Sequence, residues 1–171
     1  AYIPDTTGKP MHSWRVLILP FIDQMPMHDA YDFSQPWDSP QNMAITQHIP
    51  EVFICPSSPN HSDTHYVLIT GKDTCFDGSK AIKAREISDG TSQTLFVVEA
   101  RESGIHWSEP RDYDTASFTA PGDPGGLSSY HLRGFNALFG DGSVRFINES
   151  TNVQILKGLI TPSGGEVIGE F

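Results

Sequence analysis

The sequence predicts an α+β fold, an antiparallel β-sheet with short helices on one side and long loops, and three observations predict it. Apolar runs of strand length, rich in β-branched and aromatic residues, recur at 66–69, 94–100 and 135–147, each bounded by Gly, Asn, Asp or Pro. Helical periodicity is confined to brief stretches near 14–24, 40–48 and 153–160. Fifteen Gly and 13 Pro at only 37% hydrophobic residues demand many turns, while ten Phe and three Trp supply a core. A length of 171 residues suits one domain, 1–171. Such a domain buries about 70% of the surface its unfolded chain exposes. The formal charge of −10 excludes sequence-independent binding to nucleic acid or anionic lipid, both of which need a Lys/Arg surface.

In order along the chain, Trp14, Leu17, Ile18 and Phe21 fit one face of a helix over 14–24, but Pro20 removes a backbone donor inside it. Two short turns, broken near Leu19, are expected. Ser39-Pro40 reads as an N-cap followed by proline at the first helical position, starting a helix that runs to about His48 and stops before Pro50. Val52–Cys55 and Tyr66–Ile69 read as buried strands joined through Pro56 and Pro59. Thr94–Ala100 is the strongest strand in the chain and is placed at the centre of the sheet. Residues 103–130 carry few periodic apolar positions and read as a long surface loop. Val153–Ile160 is a short amphipathic helix, with Thr151 or Asn152 as its cap and Pro162 beyond its end.

The C-terminal hairpin is the sharpest local signal. Asp141-Gly142 between alternating apolar residues predicts a two-residue type I′ turn, pairing Phe139 with Val144 and Ala137 with Phe146. In that register Phe135, Ala137, Phe139, Val144 and Phe146 share a buried face, Asn136, Ser143 and Arg145 look outward, and Leu138 and Ile147 fall on the second face.

His131, nine residues, then Asp141-Gly142 resembles the H-x(9)-D-G motif of pilin-like and pseudopilin-like proteins abundant in planctomycete bacteria. His12–Gln24, Tyr31–Pro40, Val52–Ser57 and Ser88–Thr94 are similar to further segments of that family, in the same order. The resemblance implies a pilin-like globular head of unresolved molecular function, carried on a long N-terminal membrane helix. Residues 1–24 hold no apolar run of about 18 residues and no leader pattern. The expectation is therefore a head whose membrane helix is missing from this chain, on the extracytoplasmic side of the cell envelope. Its implied partners are other pilin or pseudopilin subunits and an inner-membrane assembly, both reached through that helix, and no nucleic acid. In an oxidising compartment Cys55 and Cys75 can pair, which stabilises by about 2–4 kcal/mol. The resemblance extends to Cys55 within Cys-Pro-Ser and not to Cys75, so a buried free thiol at Cys55 stands beside the bridge.

No reaction is legible. His131 and Asp141 are separated by the length of a strand, too far for one hydrogen bond, so Asp141-Gly142 reads as a turn former and His131 as the residue that docks the hairpin. His61, Asp63 and His65 lie in loop sequence without zincin or closed zinc-site spacing, and His12 and His28 read as structural. Neither a Gly-x-Ser-x-Gly elbow nor a phosphate loop occurs. No cofactor is expected apart from a calcium ion, for which Glu109, Asp112, Asp114 and Asp123 are the candidate ligands. The first functional expectation is a non-enzymatic structural or interaction subunit. Second comes an envelope binding module for a glycan, peptide or metal ion, using Trp37, Trp107 and Tyr113 as stacking platforms. A hydrolase built on His131 or the acidic loop ranks last.

Overall fold

A computed structural model describes residues 1–166 and Gly169; residues 167, 168, 170 and 171 of the expected domain lie outside it. The chain is α+β, with mixed sheets and a few short helices, and among the described residues no helix is long and apolar enough to cross a membrane. It opens with β1 (Tyr2–Pro4) and β2 (Pro10–Ser13), paired antiparallel as a separate ribbon. Three short helices follow, α1 (Trp14–Leu17), α2 (Met25–Ala30) and α3 (Pro40–Ile45). The larger sheet is built from β3 (Tyr66–Thr70), β4 (Phe76–Asp77), β5 (Lys80–Ala81), β6 (Leu95–Glu99), β7 (Tyr113–Asp114), β8 (Gly134–Phe139) and β9 (Val144–Asn148), with α4 (Val153–Ile160) last. Its order is β5-β4-β3-β6-β8-β9, and β7 joins β3 in parallel at Ile69 and Thr70.

The local rules hold where caps and prolines act. Ser39 accepts from the Asn42 amide and Pro40 begins α3, while Asn152 accepts from the Gln154 amide to start α4. Pro20 breaks the first helix as expected, giving α1 and a separate 3-10 turn over Leu19–Phe21. The buried face of that region is Arg15, Val16 and Leu19, however, and Phe21 is 84% exposed. Once the helix breaks, positions on either side of Leu19 no longer share one helical face. Val52–Cys55 is not a strand. Residues Glu51–Phe53 make a 3-10 turn after Pro50, and only Phe53 of that turn is buried.

The hairpin forms with a different turn. The Phe139 amide donates to the Ser143 carbonyl and the Gly142 amide to the Phe139 carbonyl, leaving a three-residue loop in which only Gly142 takes positive φ, +85°. A two-residue I′ turn needs positive φ at both central positions, whereas a type I turn followed by a left-handed glycine needs it at one. Asp141 stabilises the looser loop by accepting from the amide and hydroxyl of Ser143. The register becomes Leu138 with Val144 and Ala137 with Arg145. One residue of slip exchanges the faces of β9. Ile147 is buried beside Phe135, Ala137 and Phe139, and Arg145 turns inward with its guanidinium 4.5 Å from the Phe139 ring. Val144 and Phe146 are left outside, 64% and 48% exposed.

Among the described residues two apolar clusters form the core. On one face of the sheet, Leu156, Leu159 and Ile160 of α4 pack on Val67, Ile69, Leu95, Val98, Phe135, Ala137 and Phe139. An irregularity between Leu95 and Val97 lets Leu95 and Val98 both reach this face. The second cluster joins Val16, Leu19, Tyr31, Phe53 and Trp107. Trp107 comes from the segment expected to be a surface loop. Its ring stacks 5.7 Å from Phe53 and its indole donates to the Thr46 carbonyl. The 103–130 segment thus runs partly through the interior.

A buried ion pair connects the N-terminal layer to the sheet. Arg15 and Asp112 are sealed from solvent, and Asp112 also accepts from the Trp14 indole and the Leu68 amide. Burial pushes Arg15 below and Asp112 above their ordinary values, and the attraction between them opposes both shifts. His12 is buried between the Tyr31 hydroxyl and the Phe33 carbonyl, and His106 lies between Trp37 and Trp107. Burial lowers both imidazoles from their ordinary 6.5.

Replacing Asp112 by Ala leaves the Arg15 charge buried without its partner, and urea unfolding is expected to show a loss of about 3–5 kcal/mol. An R15M/D112L double variant is expected to lose less, and equal losses would show that packing alone matters here. Because both imidazoles titrate lower folded than unfolded, the unfolded chain binds more protons in acid. Their contribution is complete above 6.5 and is lost as pH falls through the depressed values. The urea midpoint is accordingly expected to drop between about pH 7.5 and about pH 5.5, and H12Q and H106Q are expected to flatten that drop. Identical slopes in the variants would remove these two residues as the cause.

Candidate functional site

The site forms on the sheet face opposite α4, where a strand end and two loops meet. Glu99 closes β6, one residue past the core-facing Val98, so strand alternation turns its carboxylate to the other face. Its cross-strand partner is Tyr66. Cys55 arrives from the 3-10 turn after Pro50 and is followed by Pro56, with its amide donating to His65 Nδ1 at 2.9 Å. His131 precedes β8 in a tight turn. The Ser129 hydroxyl accepts from the His131 amide and donates to the Gly134 carbonyl, and Arg133 adopts φ +62°. Gly134 is required by close approach, since any side chain there would run into the Ile147 carbonyl and the Phe146 ring.

The three side chains converge. His131 Nε2 is 3.2 Å from Glu99 Oε1 and 3.5 Å from Cys55 Sγ, and the Ser57 hydroxyl lies 3.3 Å from His131 Nδ1. The other carboxylate oxygen, Glu99 Oε2, accepts from the Asn136 amide at 2.6 Å. Glu99 and Cys55 are fully buried, and His131 is partly open to solvent. Beside it lies a cleft of about 490 Å³ bordered by Arg101, Tyr130, His131, Arg133 and Glu149.

Burial raises the Cys55 thiol above its ordinary value. The Ser57 backbone opposes the rise, and the Glu99 charge and hydrogen bond reinforce it. Burial, then Glu99 and Cys55, push Tyr66 up to about 12. The electrostatics differ from those of an activated cysteine, whose thiolate is stabilised by an adjacent cation or helix N-terminus. Chemically the arrangement can share protons around a buried carboxylate, and it presents sulfur, nitrogen and oxygen donors to one point.

The residues singled out from the sequence divide. His131 is in the cluster, with its ring against Glu99 and Cys55, and Asp141 and Gly142 are at the far turn. Cys55 and Cys75 are both free and buried, and Cys55 faces His131. Burial lifts Cys75 to about 11. The four calcium candidates do not gather as a ligand group among the described residues. Asp112 is committed to Arg15, and Glu109 pairs with Arg111. Asp114 accepts from the Ala116 amide and Asp123 from the Thr119 hydroxyl, so these two carboxylates are engaged by near neighbours rather than by the other candidates. His65 serves the Cys55 backbone and Asp63 the Gly104 amide rather than a common ion. As for stacking platforms, Trp107 and Tyr113 are buried, and Trp37 lies against His106. Glu99 was missed. Its signal was a carboxylate ending an apolar strand run, since a Glu carried into a sheet interior is seldom buried without a partner.

Native Cys55 and Cys75 are expected to react slowly with a thiol reagent such as dithionitrobenzoate and rapidly in urea, as their burial and raised values require. A fast-reacting native thiol that disappears in C55S would show instead that Cys55 is activated.

No curated protein and no solved structure matches the chain. A family model described as "Protein of unknown function (DUF1559)" matches residues 2–74 and 113–154. The matched segments contain Cys55 and His131 and flank Glu99, so two walls of the cluster lie inside the family pattern and its carboxylate lies between them. With well over half of its residues matched, the chain belongs to this family.

Proposed function

We propose that the chain is a non-enzymatic structural or interaction protein, the globular head of a type IV pilin-like or type II secretion pseudopilin-like subunit of the cell envelope. The observation that carries this reading is how the family-like segments are used. Cys55 of Cys-Pro-Ser and His131 at the hairpin entry turn inward on Glu99 and fasten two loops to the sheet. A nucleophilic site leaves its thiol ionisable and aims an imidazole nitrogen at the substrate. Here the thiol is held protonated by burial, and both ring nitrogens of His131 face side chains of the chain itself.

A fastened head keeps its surface in one shape, which suits a subunit whose work is contact. Contact surface is available on β9, where Val144 and Phe146 project from the last strand of the sheet, and at Leu132. In this reading a membrane helix preceding the head supplies anchorage and packs with neighbouring subunits and an inner-membrane assembly, and the head lies on the extracytoplasmic side.

The test is to express the whole gene product in its native host and label purified envelopes with an antibody against this head. Label on filaments or on membrane-attached assemblies is expected, and V144D/F146D is expected to reduce assembly while the isolated head keeps its melting temperature. Label confined to the cytosol would overturn the reading.

A further inference from the structure

We propose that Cys55, Glu99 and His131 form a binding site for a divalent transition cation of the zinc class, with Cys55 Sγ, a Glu99 carboxylate oxygen and His131 Nε2 as ligands. Each of the three offers one ligand atom, and these atoms all lie within 4.8 Å of one another, the one such group among the described residues. The two spacings from His131 are close to those a tetrahedral ion imposes. Bonds of zinc length meeting at the tetrahedral angle separate nitrogen from sulfur by about 3.5 Å and nitrogen from oxygen by about 3.4 Å. The structure has 3.5 Å from His131 Nε2 to Cys55 Sγ and 3.2 Å to Glu99 Oε1.

Hydrogen bonds also link these groups, with Nε2 and the Cys55 thiol each reaching the Glu99 carboxylate, but they leave the sulfur and Nε2 without a full bond between them. An imidazole nitrogen carries either one hydrogen or one lone pair, so Nε2 cannot bond fully to both the sulfur and the carboxylate that approach it. A cation at their common centre engages all three. The surrounding groups already hold the ligands as a metal site requires, with the Ser57 hydroxyl on the far nitrogen of His131 and the Asn136 amide on the far oxygen of Glu99. His65 fixes the Cys55 backbone from behind. Three protein ligands leave one position of a tetrahedron open, and the partly exposed His131 ring and its adjoining cleft give an ion a way in from solvent. A mixed sulfur, nitrogen and oxygen set selects zinc-like ions over Mg²⁺ or Ca²⁺, which take oxygen ligands.

The experiment uses the chain stripped of metal with a chelator and titrated with Co²⁺ and Zn²⁺. The expected result is one equivalent of Co²⁺ producing a thiolate-to-cobalt charge-transfer band and the strong visible bands of four-coordinate cobalt, both abolished by one equivalent of Zn²⁺. C55S is expected to lose the charge-transfer band, and H131Q to weaken Zn²⁺ binding by at least about tenfold, while C75S and H61Q behave as wild type. Circular dichroism on each variant separates loss of ligand from loss of fold. A chain that stays folded yet gives no charge-transfer band, or a C55S protein that binds Zn²⁺ as tightly as wild type, would overturn the site. These readouts are independent of whether the head assembles in the envelope.

Discussion

The guanidinium of Arg15 is the constraint on which the arrangement of layers depends. It is fully buried, and its donors are all engaged: Nε and Nη2 with the Tyr66 carbonyl, Nη1 with the Ser13 hydroxyl and the Arg111 carbonyl, and Nη2 with Asp112. A charge with this much dehydration to offset is held only where every partner is in place. Its partners come from the β2–α1 junction, from β3 and from the segment entering β7. Three stretches distant in sequence are therefore fixed relative to one another by one side chain. The apolar contacts of Phe53 and Trp107 then fill the space beside it.

From that junction the polar face of the sheet follows. α4 covers one face with Leu156, Leu159 and Ile160, a conventional apolar seam. The other face is covered by loops, and loops bring backbone groups that must find partners when buried. Glu99 meets this need on its side of the sheet by accepting the Asn136 amide while facing His131. Asp112 does the same on the other side through the Leu68 amide and the Trp14 indole. The cluster at Cys55, Glu99 and His131 is thus placed by the same logic that places the ion pair. A sheet roofed by irregular chain carries its charges inside, and the ends of β3 and β6 are where they sit.

What the sequence made legible was local. Ser39, Pro40 and Asn152 announce helix starts because a cap needs only the few amides that follow it, and Pro20 breaks a helix through its own ring and missing donor. The central strand at 95–99 was legible because an uninterrupted apolar run has few other uses. The hairpin turn was half legible. Asp141-Gly142 marks the bend, but the choice between two and three loop residues is decided by whether Gly140 joins the loop, and that one residue reversed the faces of β9. Burial of Trp107 and Tyr113 was not legible, since nothing in 103–130 is periodic and their cover comes from residues some sixty positions away at Thr46 and forty at Thr70. The site was visible only in pieces: Cys55 and His131 each stood out, but their meeting at Glu99 is a product of tertiary folding.

The spacing between His131 and Asp141-Gly142 acquires a physical meaning from this geometry. The intervening residues are a short turn, the six residues of β8 and the first loop residue. At one end His131 closes on Glu99 of the neighbouring strand, and at the other Asp141 ties the loop through Ser143 so that β9 can return. Lengthening β8 by one residue would carry His131 to the wrong side of the sheet or shift β9 out of register, because side chains alternate at every position. The histidine and the aspartate never need to meet. Their separation is the length of the strand that must fit between two fixed points, a clamp on β6 and a turn into β9.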